Sequence, residues 1–305
     1  MSLLGLKEGK LLEQFLHQII NGISLGSIYA LVALGYTMVY GIIKLINFAH
    51  CDVYMIGAYV GYFCMTFLGF GFVPSLLAAM AVCTVLGVTI EKIAYKPLRN
   101  ATRIAVLITA IGVSLFLEYG TMFFVKAQVR SYPPLTGLLA KTLQLGNISV
   151  PMLQVLILAI TIILMLLLQF VVNKTKIGKA MRAVSMDQDA AELMGINVDT
   201  TISFTFALGS ALAGAAGILV GVCYNSINPL MGVLPGLKSF VAAVFGGIGI
   251  IPGAMIGGYI IGIVEVLISG YINSMYRDAF VFAILILILI LKPAGLLGKN
   301  TREKV

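Results

Sequence analysis

The chain has 305 residues, 60% of them hydrophobic and only 10% charged, with a mean hydropathy of +1.05. A soluble globular domain carries roughly 25% charged residues, so this composition excludes a chain that covers itself with polar surface in water. The net charge of +8 does not indicate a nucleic-acid partner, because the basic residues sit between apolar segments, the pattern that sets membrane orientation.

Apolar segments fall at about 16–43, 53–70, 73–93, 104–125, 151–172, 202–224, 238–270 and 278–292. Most are near the ~20 residues that a helix needs to cross a bilayer, and helices satisfy their own backbone groups in lipid. The expected fold is all-α: a polytopic membrane bundle of about eight helices, forming one domain over residues 1–305.

The first 14 residues mix Lys7, Glu8, Lys10 and Glu13 with leucines and lack a small-residue cleavage site. They read as a surface amphipathic helix or a frayed end, not a cleaved signal peptide. Segment 1 is too long for one straight crossing, and Gly22, Gly26, Gly35 and Gly41 offer places to break it. His50 stands with Asn47 and Asp52 at the mouth of segments 1 and 2, either lining a polar path or closing an interhelical hydrogen bond. Cys51, Cys64, Cys83 and Cys223 are scattered without metal-like spacing and read as reduced core residues. Neither His17 nor His50 has metal-ligand company, and no Gly-Lys-Ser/Thr loop follows a strand, so no bound metal or nucleotide is expected.

Loop 91–103 holds Lys92, Lys96, Arg99 and Arg103; loop 173–200 holds Lys174, Lys176, Lys179 and Arg182; the tail holds Lys292, Lys299, Arg302 and Lys304. These mark the cytoplasmic side. Loop 126–150, despite Lys126, Arg130 and Lys141, and the uncharged loop 225–237 then face outward. A basic tail in the cytoplasm requires residues 238–292 to cross an odd number of times. Segment 7 is interrupted by Gly246, Gly247, Gly249, Pro252 and Gly253, which predicts a re-entrant element or two short helices meeting at Pro252-Gly253. Irregular backbone at membrane depth is tolerated where protein or a wet cavity covers it, so the translocation path is expected beside this break.

Glu118 and Glu265 lie inside apolar runs. Intramembrane acids are costly unless paired or in a cavity, so they are either proton relays or structural. In the structural reading Glu118 reaches the headgroups and Glu265 pairs with Lys238 or Arg277. Glycines at 217 and 221, 253 and 257, and 258 and 262 give small-xxx-small spacing, for close packing or for sliding of segments 6 and 7. Tyr29, Tyr36, Tyr40 and Tyr224 read mainly as interface-belt residues in a chain without Trp.

Loop 173–200 reads as folded. Ser185 and Gln188 have capping-box spacing, and Asp187 suits a first helical turn. Met186, Ala190, Leu193 and Met194 form one apolar stripe, Gly195 supplies a left-handed stop, and Asn197 with Asp199 can start segment 6. The predicted helix of about nine residues, Met186 to Met194, is too short to stand alone in water. It lies on the bilayer or its own protein, or it enters a groove on a soluble partner.

Four stretches resemble a known family: Asn21-Gly-Ile-Ser-Leu-Gly-Ser-Ile-Tyr-Ala-Leu; Gly35-Tyr-Thr-Met-Val-Tyr-Gly with Asn47-Phe-Ala-His50; Gly178-Lys-Ala-Met-Arg-Ala with Ala190-Ala-Glu-Leu-Met-Gly-Ile-Asn197; and Ala242-Ala-Val-Phe-Gly-Gly-Ile-Gly through Pro252-Gly-Ala-Met-Ile-Gly-Gly258. Together they are similar to the LivH-type permeases of branched-chain amino-acid ABC importers. Cys51, where the family usually has Gly, and Ile250, where it usually has Ser, depart from the pattern.

The resemblance implies a bacterial or archaeal inner-membrane subunit with no catalytic residues of its own. Its implied partners are a second homologous permease, two cytoplasmic ATPases that carry ATP and Mg, and an extracytoplasmic amino-acid-binding protein. It also implies that Ser185, Met186, Asp187, Ala190, Ala191, Glu192, Leu193, Met194 and Gly195 couple to an ATPase. Tyr36, Tyr40, Asn47, His50, Gly246, Gly247, Gly249 and Pro252 are the candidate path residues. The alternative is a proton-coupled secondary amino-acid transporter using Glu118 and Glu265.

Overall fold

The computed structural model describes residues 3–99, 101–134, 140–145 and 148–298. Lys299, Arg302 and Lys304 lie outside them. In chain order the helices are α1 (Leu3–Ile43), α2 (His50–Thr66), α3 (Phe72–Ile90), α4 (Arg103–Val125), α5 (Met152–Lys174), α6 (Lys176–Met186), α7 (Gln188–Leu193), α8 (Val198–Tyr224), α9 (Val233–Gly246), α10 (Ile251–Tyr271) and α11 (Arg277–Leu291). A π-helical turn, Glu91–Tyr95, prolongs α3. Among the described residues seven helices are long and apolar enough to cross a membrane. The 17-residue α2 and 14-residue α9 are shorter.

The central helices are α1 and α8, each buried over most of its length. The peripheral helices α4, α5 and α11 expose residues such as Phe116, Phe123, Phe124, Leu166 and Ile290, as expected where lipid is the solvent. Segment 1 does not break at its glycines: α1 is one helix of 41 residues. Glycine is tolerated inside lipid-embedded helices, and here it admits a neighbour. A Cβ on Gly262 would fall on the Gly26 backbone, and one on Gly258 on Ala30, so α10 lies directly against α1. Gly217 instead faces α2, Gly221 faces Tyr132, and Gly253 and Gly257 face α9. The small-residue faces therefore do not form a sliding seam between α8 and α10.

Residues 251–271 run antiparallel to both α1 and α9: Gly26 meets Tyr259 and Gly22 meets Ile263, while Ala242 meets Gly257 and Gly246 meets Gly253. The predicted break in segment 7 is present. Gly247 and Gly249 hold φ of +109° and +91°, a region closed to most side chains, and Pro252 stands in the first turn of α10. At 1.5 Å per residue α9 covers only about 21 Å of a ~30 Å core, and residues 247–250 turn the chain back, with the Ile250 amide bonding the Gly247 carbonyl at 3.1 Å. The segment is thus an antiparallel pair, α9 and α10, and α11 is the third helix of 238–292.

Lys96 and Arg99 both pair with Asp199, at 2.6 Å for Lys96, so loops 91–103 and 173–200 share a face. Gln188 donates to the Ile42 carbonyl at 3.4 Å, which brings the end of α1 there. Leu296 and Leu297 bond the carbonyls of Phe245 and Gly246 at the end of α9. This basic face is the cytoplasmic one, and the start of α1 lies at the opposite face. There Arg130 and Ile227 bridge the two outer loops. A short antiparallel hairpin, β1 (Thr142–Leu145) with β2 (Ile148–Pro151), stands before α5; the sequence reading had no strand here.

Candidate coupling face and translocation path

The loop after α5 is two helices. Thr175 caps α6 by accepting from the Gly178 amide at 3.0 Å, and the Arg182 guanidinium bonds the Val172 carbonyl at the end of α5. Gly178, Met181 and Val184 are the buried side of α6, which packs on α1 and α8. The predicted Ser185–Gln188 capping box is not formed. Ser185 Oγ instead donates to the Arg182 carbonyl at 2.7 Å, inside α6, and Met186 ends that helix.

Asp187 makes the break. Its backbone is extended, with φ −157° and ψ 117°, and its Oδ1 accepts from the Ala190 amide at 3.0 Å. Asp187 is itself the N-cap, and its short carboxylate reaches the amide three residues on, while Ser185 is already inside α6. The predicted helix Met186 to Met194 therefore contracts to the six residues of α7, Gln188–Leu193. Gly195 closes it as expected, with φ +80° and the Ile196 amide bonding the Ala191 carbonyl at 3.0 Å. Asn197 caps α8 through the Thr200 amide at 2.9 Å.

Only Ala191 of α7 is buried; Ala190 and Glu192 are exposed. Met186, Leu193 and Met194 are 85%, 89% and 83% exposed. Large apolar side chains held this far into water, at the end of α6 and the end of α7, are of the kind that marks an interaction site. Because α7 is tied by Gln188 to α1 and joined within a few residues to α6 and α8, force on it reaches three helices.

The candidate path residues divide. Tyr36 and His50 are buried together, their rings edge-to-face at 4.9 Å, beside Phe240 of α9. Tyr36 also reaches Cys51 Sγ, and Cys51 fills the space left by Gly232 and Gly236. His50, Asn47 and Asp52 do not form one group. His50 bonds the Val32 backbone and leaves Nε2 unpaired; Asn47 accepts from Tyr95 at 2.7 Å; Asp52 accepts from Ser114. Tyr40 is half-buried, Gly246 packs on Gly253, and Gly247 packs on the tail at Ala294 and Gly298. Gly249 and Pro252 are exposed at the break.

Glu118 does not extend toward the headgroups. It is buried and bonds Asp52 across α2 and α4. Glu265 pairs with both expected cations, at 2.6 Å from Lys238 Nζ and 3.8 Å from Arg277 Nε, and accepts from Tyr29 at 2.8 Å. Tyr29 and Tyr36 are buried hydrogen-bonding residues, not belt residues, whereas Tyr224 is exposed.

Two cavities open from the outer half, of about 420 Å³ and about 370 Å³, both reaching Leu25, Tyr224, Glu265 and Arg277. A third, about 80 Å³, opens from the cytoplasmic half beside Thr37, Gly41 and Gly249. Helix α1 lines all three, and its buried stretch from Ala30 to Tyr36 separates the outer from the inner.

Residues 18–289 match the family described as branched-chain amino acid transport system / permease component. The chain is 40% identical over 301 residues to the high-affinity branched-chain amino acid transport system permease protein BraD of Pseudomonas aeruginosa, covering 95% of this chain and 98% of that one. It is 43% identical over 301 residues to LivH of Escherichia coli, with the same coverage. It is 32% identical over 295 residues to a probable LivH of Methanocaldococcus jannaschii, covering 91% and 90%. None of these relatives lends support to the proton-coupled alternative. A bundle of this architecture, matched over nearly its full length, belongs to the family of permease components of branched-chain amino acid transport systems.

Proposed function

We propose that this chain is the membrane subunit of an ATP-driven importer and moves branched-chain amino acids handed to it by an extracytoplasmic binding protein. The observation that carries the reading is the exposed Met186, Leu193 and Met194 on and beside α7. They face the cytoplasm beside a helix joined to α6 and α8 and bonded to α1 through Gln188, as a surface seated in a groove of an ATPase must be. Two such ATPases, binding ATP and Mg, and a second homologous permease complete the assembly. This chain itself binds no nucleotide in that scheme.

Closure of the ATPases pushes α7, and through it the cytoplasmic ends of α1 and α8. The buried layer of α1 between the outer cavities and the small inner one is then the barrier that opens inward. Tyr36 belongs to that layer, and His50 of α2 packs against it. The hinge elements are the positive-φ glycines 247 and 249, which flank Ile248 in the α9–α10 turn near the inner cavity.

The test is leucine uptake into vesicles holding this chain, its candidate ATPases, a partner permease and the binding protein. ATP-dependent uptake supports the proposal. Uptake that ignores ATP removal and collapses with the proton gradient overturns it.

A further inference from the structure

The outer cavity of about 370 Å³ is walled by groups of two kinds. One side carries a closed ion network. Lys238 Nζ lies 2.6 Å from both Glu265 Oε1 and Asp278 Oδ1, while Arg277 Nε lies 3.8 Å from Glu265 and 3.4 Å from Asp278. Two cations thus face two carboxylates, and the network is neutral. The apolar groups of the lining are Leu25, Val220, Met231 and Leu234, and Ser226 and Asn228 also reach it. Tyr54 also lines the cavity; it is 1% exposed, and its hydroxyl has no partner.

We infer that this cavity is a substrate site within the permease, built for a zwitterionic amino acid with an aliphatic side chain. The inference rests on the function proposed above and names where and how the substrate is held. A neutral network anchored on the buried Lys238 and Glu265 rejects a net charge, because an added cation or anion stays uncompensated. A zwitterion brings both signs and leaves the balance at zero. It enters at the longest of the four contacts, between Arg277 and Glu265. Its carboxylate takes the guanidinium, which suits planar carboxylates, and its ammonium takes Glu265.

The Arg277 side chain is 47% exposed, whereas that of Lys238 is 4% exposed. Arg277 is therefore the group that swings to the ligand while Lys238 holds the acids. The unpaired Tyr54 hydroxyl offers a further hydrogen bond, and the aliphatic side chain lies against Leu25, Val220, Met231 and Leu234. The volume falls within the range of small-molecule sites.

The experiment is saturation-transfer NMR on the full chain in nanodiscs with L-leucine, leucinamide, which lacks the carboxylate, and isocaproate, which lacks the amine. Leu234→Trp fills the cavity from its exposed rim without touching the ion network, and Arg277→Gln removes the carboxylate contact. The expected result is transfer to the leucine methyls in the parent chain, lowered about tenfold in either variant, with little transfer to the two singly charged analogues. No transfer to leucine, equal transfer in Leu234→Trp, or equal transfer to all three compounds overturns the site. Vesicle uptake separates the two levels. ATP-driven leucine uptake without these NMR effects removes the site and leaves the function standing, and loss of uptake in the assembled parent transporter removes the function.

Discussion

Asp187 Oδ1 accepts a hydrogen bond from the Ala190 amide at 3.0 Å, and this one contact starts α7 as a helix separate from α6. A six-residue helix has too few internal bonds to persist in water, so its caps decide its population. Asp187→Ala removes about 1 kcal/mol of capping, which raises hydrogen exchange across residues 188–195 about fivefold. Peptides from α6 keep their protection, because Thr175 and the Arg182–Val172 bond are untouched. Mass-spectrometric exchange on the purified chain reads both. Equal loosening of α6 and α7 would show that the two helices are one cooperative unit.

Leu193→Asp tests the exposed patch itself. Leu193 is 89% exposed, so the substitution leaves the fold within about 0.5 kcal/mol. It places a charge where the proposed ATPase groove must be apolar. The chain is expected to insert and accumulate normally, while ATP hydrolysis no longer drives leucine uptake in vesicles. Ala190→Asp, on the same exposed side of α7, is expected to act alike. Normal uptake in both variants removes α7 from the coupling machinery.

The membrane segments were legible because lipid forces each spanning helix to be apolar along its length, and that signal is local. Gly195 and Asn197 were legible for a similar reason: a left-handed stop and an N-cap are written within four residues. The cap at Asp187 was misread because Ser185, two residues earlier, carries the same signature, and only the finished α6 shows that it is already helical. Helix α6 itself was missed. Its buried face is thin, Gly178, Met181 and Val184 among basic residues, and reads as a charged loop. The pairing of Glu118 with Asp52 and the choice of α1 and α9 as neighbours of α10 join residues far apart in the chain, and no local pattern announces them. The ion pairs of Glu265 were foreseeable because an acid in lipid needs a cation, and few are within reach.

The contact of α10 with α1 depends on a missing side chain. A Cβ on Gly262 would meet the Cα and N of Gly26, and backbone cannot yield as a flexible side chain does. Gly262→Leu therefore costs at least about 3 kcal/mol and is expected to abolish accumulation in the membrane. Gly112→Leu is the control: a Cβ there has nothing within 4 Å, so accumulation and detergent stability stay at the parent level. Quantitative blotting of membranes and a thermal melt in detergent check both.

Lys238 stands between two acids, 2.6 Å from Glu265 and 2.6 Å from Asp278, and its side chain is almost fully buried. Lys238→Met keeps the volume and removes the charge, leaving two carboxylates facing each other with only the longer contacts to Arg277. Breaking a buried pair on one side costs about 3–5 kcal/mol, which lowers the melting temperature in detergent. The double variant Lys238→Met, Glu265→Met removes the uncompensated acid along with its partner. It is expected to recover most of the loss, because the remaining Asp278 keeps Arg277 at 3.4 Å. Recovery identifies the stranded charge, and not the packing of the lysine stem, as the source of the damage. A double variant as unstable as the single one shows that the stem carries the stability.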